Sequence, residues 1–108
     1  MIDVVIISDA KNTAYAEMTQ KAVDTANQDS GVNVIVVESK QATYINAKTV
    51  RTTEPFNYNK YLNIGASYGK NPYIAFCNND LIFYKGWTGI IELMFEKGVN
   101  SAAPFSTN

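Results

Sequence analysis

The sequence predicts an α/β fold, a three-layer sandwich around a mostly parallel sheet. Three observations lead there. Near-continuous apolar runs rich in β-branched residues recur at 3–8 (DVVIIS), 33–38 (NVIVVE) and 73–77 (YIAFC), as expected of strands covered on both faces. Stretches with helical spacing follow at 13–28, 57–69 and 87–97. Strands that alternate with helices are the pattern of parallel pairing through crossover connections. The 108 residues make one domain, 1–108. A compact unit of that length has a radius of gyration of about 13 Å.

The elements follow in order. The first strand, 3–8, leads into a helix over 13–28, where Tyr15, Met18, Ala22 and Ala26 recur at three or four. Asn12 or Thr13 can cap it, Glu17 is expected in its first turn, and Gly31 follows its end. After the second strand, 33–38, the pattern is less regular. A short strand near 49–53 is expected to stop before Pro55. In the helix over 57–69, Tyr58, Tyr61, Leu62, Gly65, Ala66 and Gly69 share one face. Two glycines and an alanine there let a helix approach a sheet closely, which gives a packing reason for residues that weaken a helix. Asn71-Pro72 marks the turn into the third buried strand, 73–77, which residues 81–84 (LIFY) extend or follow with another. The helix over 87–97 has Lys97 in its last turn and Gly98 beyond it. Residues 101–105 (SAAPF) are expected to start an edge strand, since Pro104 does not suit the centre of a sheet.

Composition excludes several kinds of chemistry. Nine Lys and Arg against ten Asp and Glu give a net charge of −1, without the basic excess of a nucleic-acid binder. No apolar run approaches the ~20 residues of a membrane span, and there is no signal-peptide pattern, so a cytoplasmic protein is expected. One cysteine, Cys77, leaves no internal disulfide and no cysteine-rich zinc site. The absence of histidine removes Ser-His-Asp and Cys-His catalysis and every imidazole metal site. Acid–base or metal chemistry must come from carboxylates, amides and ligand oxygens.

Ligands of open parallel sheets bind beyond the carboxyl ends of the strands. Asp9, Glu38 and Asp80 stand at or just past three strand ends. Each could merely cap the element that follows. Asp80, however, closes Asn78-Asn79-Asp80, which puts several oxygen ligands on one short loop. Hard cations such as Mg²⁺ and Mn²⁺ prefer oxygen. So few protein oxygens suffice only when phosphate oxygens and water complete the shell, so the loop suggests a metal–diphosphate site. The turn Ser8-Asp9-Ala10-Lys11-Asn12 is neither GxGxxG nor GxxxxGK[ST], which disfavours an ordinary dinucleotide binder and a P-loop NTPase. The acidic pattern of a receiver-like phosphorylation domain is not met either.

These residues resemble the nucleotide-binding half of GT-A fold glycosyltransferases, especially family 2-like enzymes. The matches are Asn63-Ile64-Gly65 before a small-residue helix, Tyr73-Ile74-Ala75-Phe76, and Asn78-Asn79-Asp80 in the place of an Asp-x-Asp loop. Residues 86–97 and Ala102-Ala103-Pro104 follow the family order. The likeness spans nearly the whole chain, with 56–83 its specific part. It implies a Rossmann-like domain that binds a nucleotide-sugar, a UDP-sugar above all, with Mn²⁺ or Mg²⁺. Ser8 and Asp9 would lie at the nucleoside pocket, and Glu38 would accept the uracil N–H. Asn59, Lys60 and Asn63 would sit near base, ribose or diphosphate. Asn78 and Asp80 would ligate the metal, and Asn79 counts among the nucleotide-binding residues. Asn78 stands where the family more often has Asp, which removes one charge from the metal site. The chain stops before the acceptor region that follows in such enzymes, so a minimal or truncated version is expected. Glu54, Glu92 and Glu96 are available as bases for an acceptor hydroxyl, a sugar or other alcohol.

Three functions are weighed. The first is glycosyl transfer, or slow donor hydrolysis, by a minimal enzyme. The second is a non-catalytic nucleotide or nucleotide-sugar module acting with a partner chain. The third is an α/β interaction domain whose seven tyrosines and Trp87 meet protein or polysaccharide, against the plainer reading that they pack the core. Homo-oligomerisation is a further expectation, because a shortened domain would expose a sheet edge.

Overall fold

β1 (Ile2–Ser8) is the spine of the molecule, and every one of its residues is buried. Residues alternate across a strand. Ile2, Val4 and Ile6 therefore enter one apolar cluster, with Ala22, Val23 and Ala26, while Val5 and Ile7 enter a second with Ile35, Val37, Val50 and Tyr61. The computed structural model describes residues 1–96, in which β1 is followed by α1 (Thr13–Ala26), β2 (Val32–Glu38), β3 (Lys48–Arg51), α2 (Tyr58–Ala66), β4 (Tyr73–Asn78) and α3 (Trp87–Glu96). The expectations for Lys97, Gly98 and the strand at 101–105 fall outside the described residues.

The strands form one sheet in the order β3-β2-β1-β4, and every pairing is parallel. The fold is thus a compact, Rossmann-like α/β domain with a radius of gyration of 13.3 Å. The chain steps outward from β1 to β2 and β3, then returns through α2 to β4 on the other side of β1. Crossovers are right-handed, so reversing the direction of travel moves the helix to the opposite face. The two clusters obey this rule, since residues of α1 lie in one and Tyr61 of α2 in the other. The direction changes between β1 and β4, and the carboxyl ends of those strands flank the switch point.

α2 comes very close to the sheet. A Cβ on Gly65 would stand 2.3 Å from Cγ1 of Val5 and 3.1 Å from Cγ2 of Val37, so only glycine fits. Asn57 caps the helix by accepting from the Lys60 N–H at 3.0 Å. Asp3, fully buried, locks the turn that follows. Its carboxylate accepts from the backbone N–H of Lys70 (2.7 Å) and Asn71 (2.9 Å), and from the side chains of Asn71 (2.8 Å) and Asn33 (3.0 Å). Burial alone would raise its pKa, but these donors together hold it below the ordinary value.

Several expectations are corrected. Asn12 does cap α1, but the buried stripe is Thr19, Ala22, Val23 and Ala26. Met18, 38% exposed, lies to one side of that stripe, whereas Tyr15, 44% exposed, is on its line but in the first turn, where it borders the cleft beyond the strand ends. The first turn of α1 holds no acidic residue, so Glu17 lies beyond it. α2 is shorter than 57–69, and Tyr58 at its start is exposed. β3 begins and ends earlier than expected. β4 is covered on one side only, since Ile74 and Phe76 are 41% and 45% exposed while Cys77 is buried. Its edge position is the reason: among the described residues α2 reaches over β1 and β2 rather than over β4.

Residues 81–84 form no strand. They run beside α1, where the Phe83 N–H donates to Thr25 Oγ1 at 3.1 Å and the Phe83 ring packs 4.7 Å from that of Trp87. Trp87 in turn donates its indole N–H to the Ala26 carbonyl. Asp29 serves as a cap for α3 from a distant part of the chain, accepting from the N–H groups of Gly86 and Thr88 and from the Thr88 hydroxyl.

Gly65→Ala is expected to destabilise the fold by about 1–3 kcal/mol through overpacking against Val5. A lowered urea midpoint with unchanged slope checks it.

Candidate functional site

The carboxyl edge of the sheet is organised by a buried carboxylate. Glu38 ends β2 and has no exposed surface. Its Oε2 accepts from the backbone N–H of Ala10 (3.0 Å) and of Lys40 (2.9 Å), and its Oε1 accepts from the Tyr44 hydroxyl at 2.5 Å. Burial pushes the Glu38 pKa up, but the Tyr44 hydroxyl, the two N–H groups and Ser8 outweigh it and hold the group ionised below its ordinary range. Burial and the neighbouring carboxylate raise the Tyr44 phenol in turn. Ser8 Oγ is shared with Tyr44 (3.3 Å) and with Thr19 Oγ1 (3.1 Å), and Asn79 Nδ2 donates to Thr19 Oγ1 at 3.1 Å. One continuous polar chain thus runs from the end of β2, under the end of β1, to the loop after β4.

Above this network, beyond the ends of β1 and β4, lies a cleft of about 370 Å³. Ile7, Asp9 and Lys11 come from the end of β1 and its loop, and Tyr15 from α1. Phe56 and Tyr58 come from the entry to α2, and Asn78, Asn79 and Asp80 from the end of β4. The volume is within the range of small-molecule sites, and the position is the one where ligands of open α/β sheets bind. Asp9 is fixed by Ser39, whose hydroxyl donates to Oδ1 at 2.5 Å, and by the Lys40 ammonium at 3.4 Å. The Ser39 bond, with Lys40 and Lys11 nearby, keeps its pKa below the ordinary value against burial. A charged carboxylate, a lysine, two amides, a second acid and three aromatic rings therefore share one concave surface.

The expected site residues separate into three groups. Asp9, Asn78, Asn79 and Asp80 are brought together in the cleft. Ser8 and Glu38 lie beneath it, both buried and hydrogen-bonded within the protein. Asn59, Lys60 and Asn63 are exposed on α2 outside the described cleft walls, and Lys60 pairs with Glu54 at 2.8 Å. Glu92 pairs with the N-terminal ammonium at 3.2 Å, and neither it nor Glu54 or Glu96 lines the cleft. Tyr15, Phe56, Tyr58 and Lys11 were not singled out as site residues from the sequence. The signal for them is weak: Phe56 precedes the helical period, and Tyr58 falls on it and so reads as a packed residue.

A second hollow of about 420 Å³ lies beside the first, between the N-terminal turn of α1 and Lys40, Gln41 and Ala42, and Lys11 lines both. Among the described residues no cluster of three or more Cys, Asp or Glu gathers to hold a metal. Asn78 and Asp80 present oxygen donors at the cleft, which suits a hard cation only if a ligand supplies further oxygens. Cys77 is buried, and burial pushes its thiol up to about 12, so it is no nucleophile. No helix among the described residues is long and apolar enough to cross a membrane. Comparison with models of known protein families, with curated proteins and with solved structures gives no match.

Glu38→Gln can keep a carbonyl oxygen toward the Ala10 and Lys40 N–H groups but sets an NH₂ against the Tyr44 hydroxyl and removes the charge from all three bonds, which is expected to cost about 1–3 kcal/mol in urea denaturation. Acid should have a related effect. Asp3, Glu38, Asp9 and Asp29 all have folded pKa values below their ordinary ones. The unfolded chain therefore takes up protons first, so their contribution is complete above the ordinary carboxylate range and is lost as pH falls through the folded values. Thermal midpoints should be level above about pH 5 and fall steadily below about pH 4.

Proposed function

We propose that this protein binds a nucleotide-sugar, with a UDP-sugar as donor, together with Mn²⁺ or Mg²⁺, and acts as a minimal GT-A-like glycosyltransferase that transfers the sugar slowly or hydrolyses the donor. The observation that carries the reading is the cleft at the switch point between β1 and β4, where Asp9, Asn78, Asn79 and Asp80 converge. The residues fit a metal–diphosphate group by their donor chemistry. Asp80 and Asn78 would hold the cation through oxygen, and a bound cation would offset charge on the departing nucleotide. Lys11 is suited to a phosphate oxygen on the same surface. Asn79, held by Thr19, fixes the loop between the two metal-binding positions. A layered arrangement with helices on both sheet faces, as in the resembled family, accords with the two apolar clusters.

The second reading, a non-catalytic module acting with a partner chain, is favoured by one specific observation. Among the described residues the carboxylates on the cleft walls are Asp9 and Asp80, and Asp9 is already bonded to Ser39 and Lys40. Glu54 and Glu92 are paired elsewhere. A base for an acceptor hydroxyl would then come from the partner or from the acceptor itself. Release of free sugar from UDP-sugars separates the two readings.

Calorimetric titration with UDP tests the site. Binding is expected to strengthen at least about tenfold when Mn²⁺ is added, and Asp80→Ala should abolish that gain while the far-ultraviolet circular dichroism shows the domain still folded. Unchanged affinity in Asp80→Ala would remove the metal assignment.

A further inference from the structure

Glu38 cannot do two things at once. A carboxylate that reads a nucleobase must offer a lone pair to the ligand. Glu38 is wholly buried, lies outside the cleft walls, and meets two backbone N–H groups and a phenol instead. Pulling it toward a ligand would strand those buried donors, each at a desolvation cost.

The cleft offers a different kind of recognition. Tyr15, Phe56 and Tyr58 are 44%, 56% and 44% exposed, and all three line the same concavity. Phe56 is exposed but not loose. Its ring packs at 5.1 Å and 62° against Tyr61, which is fully buried and donates its hydroxyl to the Glu54 carbonyl at 2.7 Å. The Asn57 cap fixes the backbone between Phe56 and Tyr58. An aromatic ring held in place from below and open from above is a preorganised stacking surface. Asp9, Lys11 and Asp80 stand on the same walls, so a flat ring and a metal-bound diphosphate can be held side by side.

We infer that Phe56 and Tyr58, with Tyr15, form a stacking platform for the base of a nucleoside diphosphate, and that the site accepts purine and pyrimidine bases alike because Glu38 positions the loops rather than reading the base. This rests on the cleft being the metal–diphosphate site proposed above. Stacking is tolerant of base identity, since every base has a π face, whereas hydrogen-bond readout is not.

The test titrates the whole chain, with Mn²⁺ present, against UDP, ADP and inorganic diphosphate. UDP and ADP are expected to bind within about fivefold of each other, and both at least about tenfold more tightly than inorganic diphosphate. Phe56→Ala should remove most of that advantage while leaving the affinity for inorganic diphosphate unchanged, and Phe56→Trp should retain it. Phe56→Ala also gives up the ring contact with Tyr61, so its thermal midpoint falls a little, and the unchanged affinity for inorganic diphosphate shows that the site stays folded. Tight binding of UDP with ADP at the level of inorganic diphosphate would overturn the platform and restore base-specific readout. An undiminished advantage in both Phe56→Ala and Tyr58→Ala would overturn it too. Failure of inorganic diphosphate and of both nucleotides to bind would defeat the metal–diphosphate reading itself, and the platform with it.

Discussion

The buried carboxylate of Glu38 is the constraint on which the functional edge of the molecule depends. A parallel sheet ends with all its strands pointing the same way, and each strand must release its chain into a loop whose N–H groups lose their ladder partners. Here three of those loops meet above a dry core. Glu38 satisfies an N–H of the β1–α1 loop through Ala10 and one of the β2–β3 loop through Lys40. Through Tyr44, Ser8 and Thr19 it reaches Asn79 of the loop after β4. An apolar residue at the same place would leave these donors unmatched. A charge in the interior is tolerable because every bond it makes favours its ionised form. No buried side-chain nitrogen or oxygen is left without a partner among the described residues.

The opposite edge uses the same device. Asp3 lies on the α2 side of β1, in a row otherwise apolar, and its two oxygens bind the turn between α2 and β4. That turn must be held because α2 is pressed against Val5 and Val37 through a glycine, and a helix so close has little freedom to shift. Two buried acids thus fix the two ends of the sheet, and the apolar faces of β1 and β2 fill the space between. The cleft between β1 and β4 follows from this frame. The chain reverses its direction of travel there, so no crossover fills the space above the strand ends.

The aromatic residues divide between core and cleft. Of the thirteen aromatic residues implied by the composition, Tyr44, Tyr61 and Phe83 are buried structural members, while Tyr15, Phe56 and Tyr58 line the cleft. The side of β4 that carries Ile74 and Phe76 is uncovered by the described elements. A single sequence does not mark such differences, because burial of an aromatic ring depends on what lies across from it.

What the sequence determined by itself was the alternation of elements. Runs such as VVII and VIVV admit little but buried parallel strands, glycine at position 65 announced a close helix–sheet contact, and Asn78-Asn79-Asp80 pointed to the oxygen-rich loop that does stand at the cleft. These are local signals, carried by residue type and spacing. The tertiary structure decided the rest: which face of α1 turns inward, that 81–84 is no strand, and that Glu38 and Ser8 lie under the site while Phe56 and Tyr58 line it. The physical reason is that a carboxylate at a strand end has the same local sequence whether it faces a ligand or three buried donors. Those donors belong to Ala10, Lys40 and Tyr44, and only the folding of the chain brings them into contact with Glu38.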